Sequence, residues 1–189
     1  MRKNLVVTGS AGIGKTEAVK KALGDRLAYA GGLVTAAAAD GNGLCLRPAY
    51  SLYDGSPAQE ERFLWLSDGS IKRDNEVFRN TGVRLLAEAA EYPYILLDPI
   101  CGYELVIPQF REALYSAFSA PVPILAVILD SETVDDERRL FSMGDRLTDH
   151  RKAFLSFLEK SGDTEIINAQ EDEISELEAA ISAWMNKYL

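Results

Sequence analysis

The chain holds a single histidine, His150, and only two cysteines, Cys45 and Cys101. The cysteines show no CxxC spacing and have no histidine close by in sequence. A zinc site and a histidine-dependent triad are therefore not expected, and both cysteines should be reduced and buried. Positive charge is also scarce. Twenty Lys and Arg against 29 Asp and Glu leave a net charge of −9, with no basic block. Non-specific nucleic-acid binding needs many cations to neutralise phosphates, so no nucleic-acid partner is expected. Long apolar runs are missing as well: the longest, "PVPILAVIL" at 121–129, is far below the roughly 20 residues that cross a bilayer. The "LVV" after the first basic residues is no signal-peptide core, and there is no repeat or low-complexity tract. These absences point to a soluble cytoplasmic protein with no membrane partner.

What is present is ordinary globular material. With 189 residues, 47% hydrophobic and 26% charged, the chain can bury the core of one domain spanning residues 1–189. "NLVVT" at 4–8 reads as a buried strand and "KTEAVKKAL" as a helix stopped by Gly24. Residues 31–73 carry hairpin punctuation, "DGNG" and "YDGSP", between short apolar runs. "EVFRNTGVRLLAEAAEY" reads as helix, "YILLD" as a central strand, "PQFREALYSAFS" as a helix entered by proline, and "VPILAVIL" as another central strand. One or two helices are expected over 134–160, then the strand "TEIIN". A last amphipathic helix has Ile174, Leu177, Ile181, Trp184 and Tyr188 on its core stripe. Alternating strands and helices imply an α/β fold, a mostly parallel sheet covered on both faces, with the hairpin region as an antiparallel addition.

"GSAGIGKT" at 9–16 has the spacing of a P-loop: Gly9, four residues, Gly14, Lys15, Thr16. A chance match in a chain of this length is on the order of one per cent, and this one falls between a strand and a helix. The glycines, Gly12 included, let backbone N–H groups turn inward around an anion, and the helix start adds its positive pole. The stretch Gly9, Ser10, Ala11, Gly12, Ile13, Gly14, Lys15, Thr16 and Glu17 is thus the expected phosphate-binding set. Lys15 would reach the β and γ phosphates of a nucleoside triphosphate, ATP or GTP, and Thr16 would ligate Mg²⁺. A second magnesium-side group should be an acid ending a neighbouring strand. Asp98, after "YILL", is the first choice, and Asp130, after "ILAVIL", the second.

Together these motifs resemble the cancer-related nucleoside-triphosphatase family of P-loop proteins, the thermophilic NTPase type. Its members begin "TGxPGxGKT", where this chain has "TGSAGIGKT"; its glycine–threonine hairpin strand is matched by "GGLVT", ending at Thr35. The family strand ending "DEIGxME" corresponds to "DPICGYEL", followed by "PQFREAL" and "VPILAVIL". The resemblance implies a P-loop NTPase three-layer sandwich with an extra strand between the P-loop strand and the Asp98 strand. It also implies slow, base-promiscuous, Mg²⁺-dependent hydrolysis, with Asp98 serving the metal, Glu104 as the motif's second acid and Asn168 as a base-side contact, although Asn168 reads more simply as a helix-entry residue.

The departures bear on activity. Pro99 stands where the family has the glutamate that orients water, a loss worth about 10²–10⁴ in rate for a general base. Cys101 replaces a glycine, and "AAAADGNG" lacks the usual acidic and arginine residues. Glu104, six residues beyond Asp98, is either a substitute base or a partly exposed acid at a helix start. Arg73, Arg79, Arg84, Arg138, Arg139 and Arg146 are the arginines considered for charge stabilisation, each of which also reads as a solvated surface residue. Three functions remain open: an NTPase with weakened hydrolysis, a small-molecule or nucleotide kinase, and a non-catalytic nucleotide-dependent binding protein. No surface of the sequence singles out a protein partner.

Overall fold

The computed structural model describes residues 3–55, 60–67, 70–129 and 146–189. Eight strands form one sheet: β1 (Asn4–Thr8), β2 (Ala30–Ala37), β3 (Gly43–Pro48), β4 (Glu61–Ser67), β5 (Ser70–Arg73), β6 (Tyr94–Ile100), β7 (Ile124–Ile128) and β8 (Thr164–Asn168), in the order β5-β4-β3-β2-β6-β7-β1-β8. β2, β6, β7, β1 and β8 run parallel, and β3, β4 and β5 add an antiparallel wing. β7 stands between β1 and β6, the extra strand that the family resemblance implies.

The central strands read as unbroken apolar runs because both faces are covered. All five residues of β7 and the first five of β6 are buried. On one face lie α1 (Lys15–Leu23) and the C-terminal helix α6 (Ile174–Tyr188), packed through Ala18, Val19, Leu177, Ile181 and Trp184. A one-turn helix, α2 (Ser51–Asp54), adds the half-buried Leu52 to this face. On the other face lie α3 (Val83–Glu88), α4 (Pro108–Ser119) and α5 (Arg146–Lys160). That second core is rich in edge-on aromatic pairs: the Phe78 ring lies 4.7 Å from Phe63 and 5.2 Å from Phe110, centroid to centroid. A π-helical turn, Phe78–Gly82, leads into α3.

Two departures from the sequence reading concern the site. β2 belongs to the parallel sheet, paired with β6, and only its other edge carries the hairpin. Gly32 permits the close approach of the two strands: its φ is +95°, and a Cβ there would collide with the Leu96 carbonyl of β6. Cys101 is half-buried, whereas Cys45 is fully buried, and both are free thiols. Asp130, Arg138 and Arg139 lie outside the described residues, as do the first half of the expected 134–160 helical segment and the side chain of Arg146. Among the described residues no helix is long and apolar enough to cross a membrane.

Candidate nucleotide site

The sheet ends its parallel strands along one edge, where β1 hands over to the 9–14 loop and then to α1. Gly9 has φ of +130°, and a Cβ on it would stand 2.6 Å from the carbonyl oxygen of Ala169. Glycine is required there by the turn and by the neighbouring chain alike. Gly12 and Gly14 are also left-handed, at +80° and +95°. The loop is pinned from the β8 side, where Ala169 donates its N–H to the Thr8 carbonyl at 2.9 Å. α1 is held against the sheet by Ala18, Val19 and Leu23, which fixes where its N-terminus points.

Beside that N-terminus lies a cleft of about 360 Å³, lined by loop residues, Lys15, Thr16, Asp98 and Pro99. Lys15 is buried and donates to the carbonyls of Gly9, at 2.9 Å, and Ser10. The Thr16 hydroxyl donates to Asp98 Oδ1 at 3.0 Å. Asp98 is 2% exposed, and its Oδ2 is buried without a hydrogen-bond partner. Burial pushes its carboxyl up to about 6, against the opposing pull of the Thr16 hydroxyl and the Lys15 charge. A buried carboxylate oxygen left without a donor, next to a hydroxyl, suits a small hard cation that takes oxygen ligands. The residues therefore fit Mg²⁺. Among the described residues no cluster of three His, Cys, Asp or Glu forms a metal site. A magnesium held by one carboxylate, one hydroxyl, phosphates and water does not need one.

Pro99 follows Asp98 through a cis peptide bond and lines the cleft without a side-chain acceptor. Glu104 is buried, not partly exposed. Its two oxygens accept the backbone N–H groups of Cys101 at 2.7 Å and Gly102 at 3.2 Å, so the carboxylate closes its own loop. Burial still drives it up to about 7. Asn168 ends β8, exposed, with its Oδ1 3.3 Å from the Thr8 hydroxyl that donates to it. Glu17 points to solvent and pairs with Lys20. Lys15, Thr16 and Asp98 thus meet at one cleft, while Glu104 is committed to its turn.

Of the arginines considered, Arg73 lies over the Tyr103 ring at 5.9 Å, and Arg79 and Arg84 pair with Glu76 and Glu88 on exposed helix surface. A separate cleft of about 200 Å³ near Gly31, at the opposite end of β2, contains that Arg84–Glu88 pair and none of the P-loop residues or Asp98. Sequence reasoning overlooked Arg47, half-buried on β3. Alternation within "GLCLRP" sets Cys45 and Arg47 apart from Leu44 and Leu46, a signal that becomes useful only once the neighbouring strands are known.

A family model described as NTPase matches residues 4–147. Among solved structures, THEP1 from the hyperthermophile Aquifex aeolicus has a similar fold, with a TM-score of 0.63 over 94% of this chain and 96% of that one, at 19% sequence identity. No curated protein matches the sequence.

Proposed function

The chain belongs to the NTPase family of P-loop proteins, and from that premise we propose that its cleft binds the Mg²⁺ complex of a nucleoside triphosphate, ATP or GTP, and hydrolyses it slowly. The observation that carries this reading is the Thr16–Asp98 contact, 3.0 Å long, with the second Asp98 oxygen left buried and unpartnered. The 9–14 loop and the start of α1 supply backbone N–H groups and a helix pole for the phosphates. Lys15, lodged against the loop carbonyls of Gly9 and Ser10, would exchange those acceptors for β- and γ-phosphate oxygens. Thr16 and Asp98 would hold the magnesium, which would supply positive charge against that of the phosphates.

Slowness is proposed from Pro99. The residue after the metal-side aspartate offers no side-chain oxygen to orient or deprotonate water, and Glu104 spends both of its oxygens on Cys101 and Gly102. The same observation favours, as a second reading, transfer to a bound hydroxyl acceptor, which relies mainly on positioning and charge. Two free thiols agree with a reducing cytoplasmic setting. The test is phosphate release from ATP and GTP with Mg²⁺, with and without added hydroxyl acceptors, alongside Lys15→Ala. Lys15-dependent release without acceptor supports hydrolysis, and release only with acceptor supports the kinase reading. Nucleotide binding with no turnover in either case would leave a binding protein.

A further inference from the structure

We infer that Arg47 is the cation that meets the γ-phosphoryl group of the bound triphosphate. The inference rests on the nucleotide-binding reading above and adds a residue that reading does not contain. It starts from strand register. Val34 of β2 lies opposite Asp98 of β6 in the parallel pair and opposite Arg47 of β3 in the antiparallel pair. Residues in register carry their side chains on the same face of a sheet.

The cores confirm the face. Val34 packs with Tyr94 and Leu96, which precede Asp98 on its side of β6, in the core beneath α1. Leu33, Leu46, Ile95 and Leu97 belong to the opposite core. Asp98, Val34 and Arg47 therefore form one row across three strands, on the face that carries the P-loop helix. Two strand spacings put the Cα atoms of Asp98 and Arg47 about 10 Å apart. An arginine and a magnesium-bound phosphate can close that gap between them. The residue between them is Val34, and Ala36 comes next on that face of β2, so the intervening floor is short and uncharged.

The state of the Arg47 side chain supports the same reading. Its guanidinium pairs with Glu60, just ahead of β4 on the side away from Asp98, and Glu60 also accepts the Cys45 thiol at 3.1 Å. The side chain is 17% exposed, and its Nε is buried with no hydrogen-bond partner. A buried donor without an acceptor is costly, and a phosphoryl oxygen is an acceptor that a guanidinium fork matches well. Arg79 and Arg84, by contrast, are spent on exposed helix pairs.

In the transfer step the water oxygen bonds to the γ phosphorus while the bridging P–O bond breaks. Its electron pair leaves on the nucleoside diphosphate, and the proton of the water ends on inorganic phosphate. Arg47 gives up no proton; its N–H groups take the charge that gathers on the γ oxygens.

The test is calorimetric binding of Mg·ADP and of Mg·ADP with aluminium fluoride, a transition-state mimic, to the full chain and to the variants Arg47→Gln, Arg47→Lys and Glu60→Gln. The expected result is an unchanged ADP affinity in Arg47→Gln with aluminium fluoride binding weakened by about tenfold or more. Arg47→Lys should recover part of it, and Glu60→Gln should lose none. The double variant Arg47→Gln/Glu60→Gln removes both charges of the pair and should behave as Arg47→Gln, should the single variant fold poorly. Equal losses in Arg47→Gln and Glu60→Gln would mean a structural ion pair and overturn the inference. So would aluminium fluoride binding that ignores Arg47, or a wild type that binds the mimic no better than ADP, with nucleotide binding itself intact. A wild type that binds no nucleotide at all would instead overturn the reading beneath it.

Discussion

The hydroxyl of Thr16, at the start of α1, donates a 3.0 Å hydrogen bond to Asp98 Oδ1, near the end of β6. This contact joins the phosphate loop to a strand two positions away in the sheet, across β7, and leaves Asp98 Oδ2 buried and unpartnered. An arrangement that is unfavourable by itself and favourable around a cation should reveal itself when the charge is removed.

Asp98→Asn should stabilise the protein in the absence of magnesium and nucleotide. Burial raises the carboxyl to about 6 from an unperturbed 3.8, so the folded state holds its proton more tightly than the unfolded state. Stability from this group is complete below about pH 4 and lost as pH rises through 6. At pH 8 in EDTA the variant should gain on the order of 1–3 kcal/mol. It should also lose the stabilisation that Mg·ADP gives the wild type. Denaturant unfolding at pH 4 and pH 8, with and without Mg·ADP, measures both effects.

Glu104 makes a similar prediction. Its folded value of about 7 stands above an unperturbed 4.5, chiefly through burial, with the backbone donors of Cys101 and Gly102 pulling the other way. Its contribution to stability is therefore full below about pH 4.5 and lost as pH rises through 7. Glu104→Gln removes that titration but gives up an acceptor for one backbone N–H, a loss of about 1–3 kcal/mol at low pH. The stability difference between variant and wild type should shrink from pH 4 to pH 8. A difference independent of pH would contradict the buried-carboxyl account.

Gly9→Ala should damage the loop directly. The substitution meets both a φ of +130° and a carbonyl oxygen 2.6 Å from the new Cβ. We expect a loss of about 2 kcal/mol or more and a much weaker nucleotide affinity. Gly12→Ala, where φ is +80° and no atom lies within 4 Å, should cost less. Thermal melts of the two variants decide the comparison.

Pro99→Glu restores an acceptor to the cleft wall. If the lack of a water-orienting group limits hydrolysis, the phosphate release rate should rise by tenfold or more, toward the roughly 10²–10⁴ expected of a general base. An unchanged rate in a variant that folds and binds nucleotide would remove Pro99 from the explanation.

Much of this was legible in sequence because it is local. The P-loop spacing, the apolar runs of β6 and β7 and the Ile174–Tyr188 stripe each lie within one element, where period and turn chemistry act. "YILLD" pointed to Asp98 because a doubly buried strand ending in an acid is unusual. What escaped depends on pairing between distant segments. That β2 pairs parallel with β6, and so sets Arg47 in one row with Asp98, depends on a close approach of distant segments at Gly32, which local sequence pattern does not reveal. Glu104 reads as a surface acid at a helix start; only the fold over it, with Leu105 and Tyr103 buried beside it, turns its carboxylate inward.

The most direct test of the central claim is calorimetric titration of a non-hydrolysable ATP or GTP analogue into the wild-type protein and Asp98→Asn, each with Mg²⁺ and with EDTA. The account predicts binding to the wild type that magnesium strengthens by about tenfold or more, with that magnesium effect abolished in Asp98→Asn. Binding to both proteins that is indifferent to magnesium, or no binding by a folded wild type, would contradict it.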